Sequence, residues 1–156
     1  MKNNLKYSIL LLVMVFIQFM VNNFTIFYVD IFGAILVVTI LLGSFSWLFL
    51  ICLSLLADFL SHWYLGTHLI GLVFISMMSN KIINFYRISN PLNKFMIAMF
   101  YYLVLCFIIV VIDFLTRRIF FSVSSLLFQI FIVLPIVQLI VHRLAKKNRS
   151  NSLFYD

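Results

Sequence analysis

The chain contains no glutamate, and its only acids are Asp30, Asp58, Asp113 and Asp156. Charged residues make up 10% of its 156 residues. A soluble domain carries about a quarter, so this chain cannot cover itself with an ordinary solvated surface. Cysteine is scarce too. Cys52 and Cys106 stand singly inside apolar runs, with no C-x-x-C and no neighbouring histidine pair, and read as packed thiols. There is no H-E-x-x-H, no glycine loop to cradle phosphate, no paired carboxylate and no nucleophile beside a base. The sequence therefore offers no basis for catalysis and implies no cofactor and no metal.

What is present is apolar. Hydrophobic residues account for 65% of the chain and fall in runs as long as helices, so lipid is the expected solvent for most of it. A helical span takes about 20 residues, which leaves room for about five or six spans and no soluble catalytic domain. The expected spans are 7–28, 31–43, 45–63, 65–86, 95–116 and 120–141, followed by a basic tail over 142–156. The first lacks a small-residue cleavage site and reads as a retained helix. Gln18, Asn22 and Asn23 interrupt it, and Asp30 marks the turn that follows. The weakest boundary is Gly43–Ser44, where 31–57 reads either as one long helix or as two short ones.

Charge placement favours two. With six spans and a cytoplasmic N-terminus, every basic residue except Arg117 and Arg118 falls inside, as the positive-inside rule requires. The net charge of +7 then reads as a topology signal meeting anionic headgroups, not as a nucleic-acid surface. The expected fold is an all-α, six-helix membrane bundle with both termini in the cytoplasm.

One stretch stands out. Asp58 lies in the third span, and Ser54, Asp58, Ser61 and His62 recur at spacings of three and four, which puts them on one helix face. A carboxylate at membrane depth costs roughly 2.5–3.5 kcal/mol on insertion scales, so it needs a partner or a wet recess. Two readings follow. Either Asp58 lines a recess and binds a partner or ligand, or it caps or pins the fourth helix or pairs with Arg117 or Arg118. Gly66 either turns the chain tightly into the fourth helix or lets a neighbouring helix approach. His62 and His68 lack metal-ligand spacing and read as interfacial polar residues. Trp63 and Tyr64 fit an aromatic belt. Pro135 should kink the sixth span, with Gln129 and Gln138 answering freed backbone groups or bonding across helices.

Ser54, Asp58 and the pair Leu65–Gly66 resemble the motif of the rod shape-determining MreD family. That family has a small residue, usually glycine, four positions before an aspartate, and a Leu-Gly whose glycine follows the aspartate by eight. Here serine takes the first place. Pro135, followed by the basic cluster that begins at His142 and Arg143, is a second point of similarity. The resemblance implies a non-catalytic bacterial inner-membrane scaffold of the cell-elongation machinery, needed for rod shape and lateral peptidoglycan synthesis. Its implied partners are the single-span MreC, the actin-like MreB, and the peptidoglycan polymerase and transpeptidase of elongation. It also implies a fold like the six-helix S-components of energy-coupling-factor transporters. A vitamin-binding S-component is therefore the rival reading. Such proteins dock through alanines four apart, and Ala34, Ala57, Ala98 and Ala145 do not provide that spacing.

Overall fold

The computed structural model describes the backbone of residues 2–24, 29–43, 46–60, 65–115 and 123–152, and within these the side chains of 13–144. Among the described residues there are helices and no strands. The helices are α1 (Lys2–Phe24), α2 (Ile31–Leu42), α3 (Trp47–Leu60), α4 (Thr67–Ser79), α5 (Ile83–Ile88), α6 (Pro91–Leu115), α7 (Val123–Phe128) and α8 (Leu134–Ser152). A π-helical turn, Gln129–Val133, joins α7 to α8. Two stretches, Pro91–Leu115 and Val123–Leu144, are long and apolar enough to cross a membrane. Shorter apolar helices cover Val13–Phe24, Ile31–Leu42, Trp47–Leu60 and Thr67–Ser79.

The bundle is built around α2. Every residue from Phe32 to Leu42 is buried, in keeping with a helix that is apolar all round. It packs against α3, α4, α5, α6 and α8. Gly43, left-handed at φ 57°, ends it, and the Gly43 N–H donates to the carbonyls of Ile40 and Thr39. Residues 31–57 thus form two helices separated at this glycine, the second alternative of the sequence reading.

Some boundaries differ from expectation for clear reasons. The run 65–86 breaks between α4 and α5, where Ile82 N–H turns back to the Ser79 carbonyl. Pro91 blocks continuation of a helix before it, but it can begin one. It opens α6, because a first-turn residue needs no N–H. The basic segment expected as a tail after 141 continues α8 as far as Ser152.

Pro135 neither ends nor simply bends its helix. It has no N–H to offer, and its ring crowds the preceding turn. The chain widens just before it, with Leu134 N–H bonding five residues back to the Gln129 carbonyl. The flanking glutamines then act across helices. Gln129 accepts from the Tyr102 hydroxyl, and Gln138 donates to Tyr86 at 3.4 Å.

Successive long helices alternate in direction. Gln18 near the end of α1 meets the start of α2, and Asp58 near the end of α3 meets the start of α4. Tyr101, in the first half of α6, bonds to the Met78 carbonyl at the end of α4. One end of the bundle therefore gathers Asp30, Asp58 and the α6 terminus that carries Asp113. The other gathers Arg87, Lys94 and His142.

Candidate functional site

The site lies where α2 and α4 begin and α3 ends. Asp30 caps α2, and its Oδ1 accepts from Gly33 N–H at 2.8 Å. That leaves Oδ2 facing His68 Nε2 at 2.7 Å. A Cβ on residue 33 would lie 2.1 Å from Asp30 Oδ2, so glycine here leaves room for the capping carboxylate, which any larger residue would displace.

Asp58 performs the same service for α4 from a neighbouring helix. The α4 N-cap is Gly66, which has no side chain to offer. Asp58 Oδ2 instead accepts from Gly66 N–H at 2.6 Å, and Oδ1 accepts from His68 N–H at 2.9 Å. The His68 ring is held as well, with Nδ1 at 2.7 Å from Asp58 Oδ1. Both carboxylates thus sit on helix N-termini, where orphan donors and the helix dipole favour negative charge.

His68 bridges the two. Its side chain is 0% exposed, as is that of Asp58, and that of Asp30 is 3% exposed. Each imidazole–carboxylate contact needs one proton, so the three groups together hold two. Their net charge is −1, however those protons are shared. Buried charge is costly unless every lone pair and proton is matched. Here each of the four carboxylate oxygens has a partner.

Further polar side chains from α1 complete this end. Gln18 Oε1 accepts from Phe32 N–H at 3.1 Å, satisfying another donor of the first turn of α2. One turn on, Asn22 pairs with both backbone groups of Val29, at 2.7 Å and 3.0 Å. Two of the polar interruptions of the first helix are therefore props for the segment that delivers Asp30. Asn23 instead bonds locally to the Phe19 carbonyl.

Of the residues singled out from sequence, the structure brings Asp58 and Gly66 into direct contact. Ser54 is buried one turn before Asp58, with its hydroxyl turned to the Ile51 carbonyl. Leu65 adjoins Gly66 and is 76% exposed. Pro135 belongs to another place, the opposite end of the bundle. Gly66 adopts φ 103° with open space where a Cβ would go, so it serves a tight turn and not a close helix approach. Ser61, His62, Trp63, Tyr64, Arg117 and Arg118 lie outside the described residues, and with them the expected Asp58–arginine pairing.

His68 corrects the sequence reading. It is not interfacial but the centre of the site. One signal was available: Thr67, His68, Gly71, Leu72, Ile75 and Ser79 are the buried positions of α4 and follow a helical stripe. The other was Asp30, an N-cap residue three positions before a glycine.

Chemically the site is a fastener. Both ring nitrogens of His68 already face carboxylates, which leaves neither lone pair for a metal, and among the described residues no His/Cys/Asp/Glu group is arranged to hold one. The bridge is closed to solvent, so its proton-sharing array meets protein atoms only. Comparison of the chain with protein-family models, with curated proteins and with solved structures gives no match.

Proposed function

We propose that this protein is a non-catalytic scaffold of the bacterial cell-elongation machinery, of the MreD type, folded as six membrane-crossing segments. The carrying observation is the Asp30–His68–Asp58 bridge, because it gives the motif residues Asp58 and Gly66 a shared purpose. They fix the start of α4 against the end of α3, and the apolar side chains on either side of this contact are exposed, Phe59 at 75% and Leu65 at 76%. Exposed apolar side chains beside a fixed helix start suit the membrane or juxtamembrane segment of an MreC-like partner.

The six segments are α1, α2, α3, α4, α6 and the joined α7–α8. At 1.5 Å per residue, α2 is about 18 Å long, short of a hydrocarbon core of about 30 Å. It needs a locally thinned bilayer or deep placement among its neighbours, and its complete burial supports the second. Lys81, Arg87, Lys94 and Arg143 gather at the end away from the buried acids, which supports both termini lying in the cytoplasm of an inner-membrane protein.

The test is affinity purification of the intact chain in gentle detergent, followed by identification of what accompanies it. Recovery of an MreC-like protein with the wild type is expected, with much less for Leu65→Ser at unchanged melting temperature. Depletion that left cell shape and wall synthesis unchanged would refute the reading. A vitamin retained tightly by the purified protein would instead favour the S-component alternative.

A further inference from the structure

At the end opposite the bridge, a groove of about 510 Å³ runs between the start of α6 and the first turns of α8. Leu92, Phe95, Pro135 and Leu139 line it, and Leu92 and Leu139 are largely exposed at its rim. Its volume is in the range of small-molecule sites, about 300–1,000 Å³, enough for a length of acyl chain but not for a whole lipid.

The polar side chains of the groove are specific. Lys94 is half-buried in the lining and has no ion-pair partner among the described residues. His142 also lines the groove. Its Nδ1 lies 2.8 Å from the Gln138 carbonyl oxygen, which accepts only, so Nδ1 must carry the hydrogen. The ring stacks obliquely on Tyr86, with centroids 5.6 Å apart. In the neutral ring Nε2 is then an acceptor, and it is buried without a hydrogen-bond partner among the protein atoms described. The groove thus combines an apolar floor, one ammonium that calls for an anion, and one imidazole nitrogen that calls for a donor.

We propose that this groove seats an acyl chain of an anionic phospholipid, with the phosphate at Lys94 and, once side chains over the buried ring edge part to admit it, a headgroup hydroxyl donating to His142 Nε2. Charge complementarity selects this occupant. Lys94 is the charged residue of the lining, and exposed Arg143 follows His142 directly. The acids Asp30, Asp58 and Asp113 lie toward the far end of the bundle. An apolar peptide segment would leave both polar groups unanswered, whereas phosphatidylglycerol answers both. The inference rests on the membrane reading and is independent of any role in wall elongation.

The experiment is native mass spectrometry of the full chain, exchanged into detergent with matched acyl chains of phosphatidylglycerol, phosphatidic acid or phosphatidylcholine. Resistance of the protein to alkaline extraction from membranes is checked first. Wild type should retain phosphatidylglycerol best, phosphatidic acid less, and phosphatidylcholine least. Lys94→Gln should lower retention of both anionic lipids about fivefold, as expected for one basic residue at an anionic surface, and leave phosphatidylcholine unchanged. His142→Phe keeps the ring on Tyr86 and should abolish only the preference for phosphatidylglycerol over phosphatidic acid. Equal retention of all three lipids, or indifference to Lys94→Gln, would overturn the site. Wild type that holds phosphatidic acid as well as phosphatidylglycerol would overturn the hydroxyl contact. Particles with two copies of the chain and no lipid would overturn it in favour of self-association through the groove. Loss of the protein on alkaline extraction would overturn the membrane reading itself.

Discussion

At its N-terminal end α2 meets two buried carboxylates and an imidazole, whereas at its C-terminal end it meets one guanidinium reaching in from the surface. Arg87 Nε donates to the Leu42 carbonyl at 2.8 Å and Nη2 to the Gly43 carbonyl at 2.9 Å. Both arrangements satisfy orphan backbone groups and complement the helix dipole. They differ in where the charge sits. At the first end the charges are sealed in and matched atom by atom, so removing one leaves others stranded. At the second, Arg87 is exposed and water can replace what it gives up. The same helix is therefore held rigidly at one end and loosely at the other.

The sharpest way to break this contrast is His68→Leu. It leaves Asp30 and Asp58 buried without their shared partner, and breaking a buried ion pair costs about 3–5 kcal/mol. A marked fall in melting temperature in detergent, with poor accumulation in cells, is expected. A variant as stable as wild type would mean that the bridge is not a fastener. Gly33→Ala acts on the same end without removing a charge, by displacing one. Its methyl would occupy the place of the Asp30 carboxylate, so a loss of about 1–3 kcal/mol is expected in chemical denaturation. Asp58→Asn keeps the shape but replaces an acceptor with a donor facing either Gly66 N–H or the imidazole. Its expected cost is similar, about 1–3 kcal/mol, with partner recovery falling alongside stability.

The open end should tolerate more. Arg87→Lys keeps the charge but loses the two-point hold on Leu42 and Gly43, and about 1 kcal/mol or less is expected in the same denaturation measurement. Leu65→Ser should change stability least, within about 0.5 kcal/mol, since an exposed side chain supports no packing. Should Arg87→Lys prove as damaging as His68→Leu, the two ends would be equivalent and the contrast would fail.

Much of the helical layout was legible because apolar runs and breakers are local signals. The division at Gly43 and the all-helical character needed no tertiary knowledge. Asp58 was legible as a residue in need of a partner, and pinning of the fourth helix was one of its two readings. The partner itself was not. His68 pairs with an aspartate 38 residues upstream, and nothing local announces such a contact. Gln18 and Asn22 likewise looked like blemishes in a span, since their use depends on where the chain folds back. The π turn before Pro135 was missed for a different reason: a proline shows that the regular ladder must fail, but not how the helix absorbs it.

The separation of Asp30 from His68 bears on how the protein is made. Asp58 meets its donors within ten residues, almost as soon as they are synthesised. Asp30 must wait for a further 38 residues, attended meanwhile only by the Gly33 N–H. A lone acid at the head of a short apolar helix has little reason to enter lipid by itself. On the proposed membrane reading, the first four helices should therefore stay together at the insertion machinery and be released as one block once the histidine and the rest of α4 arrive. A ribosome stalled before His68 would hold a chain that is still extractable, and one stalled well beyond it a chain that is not.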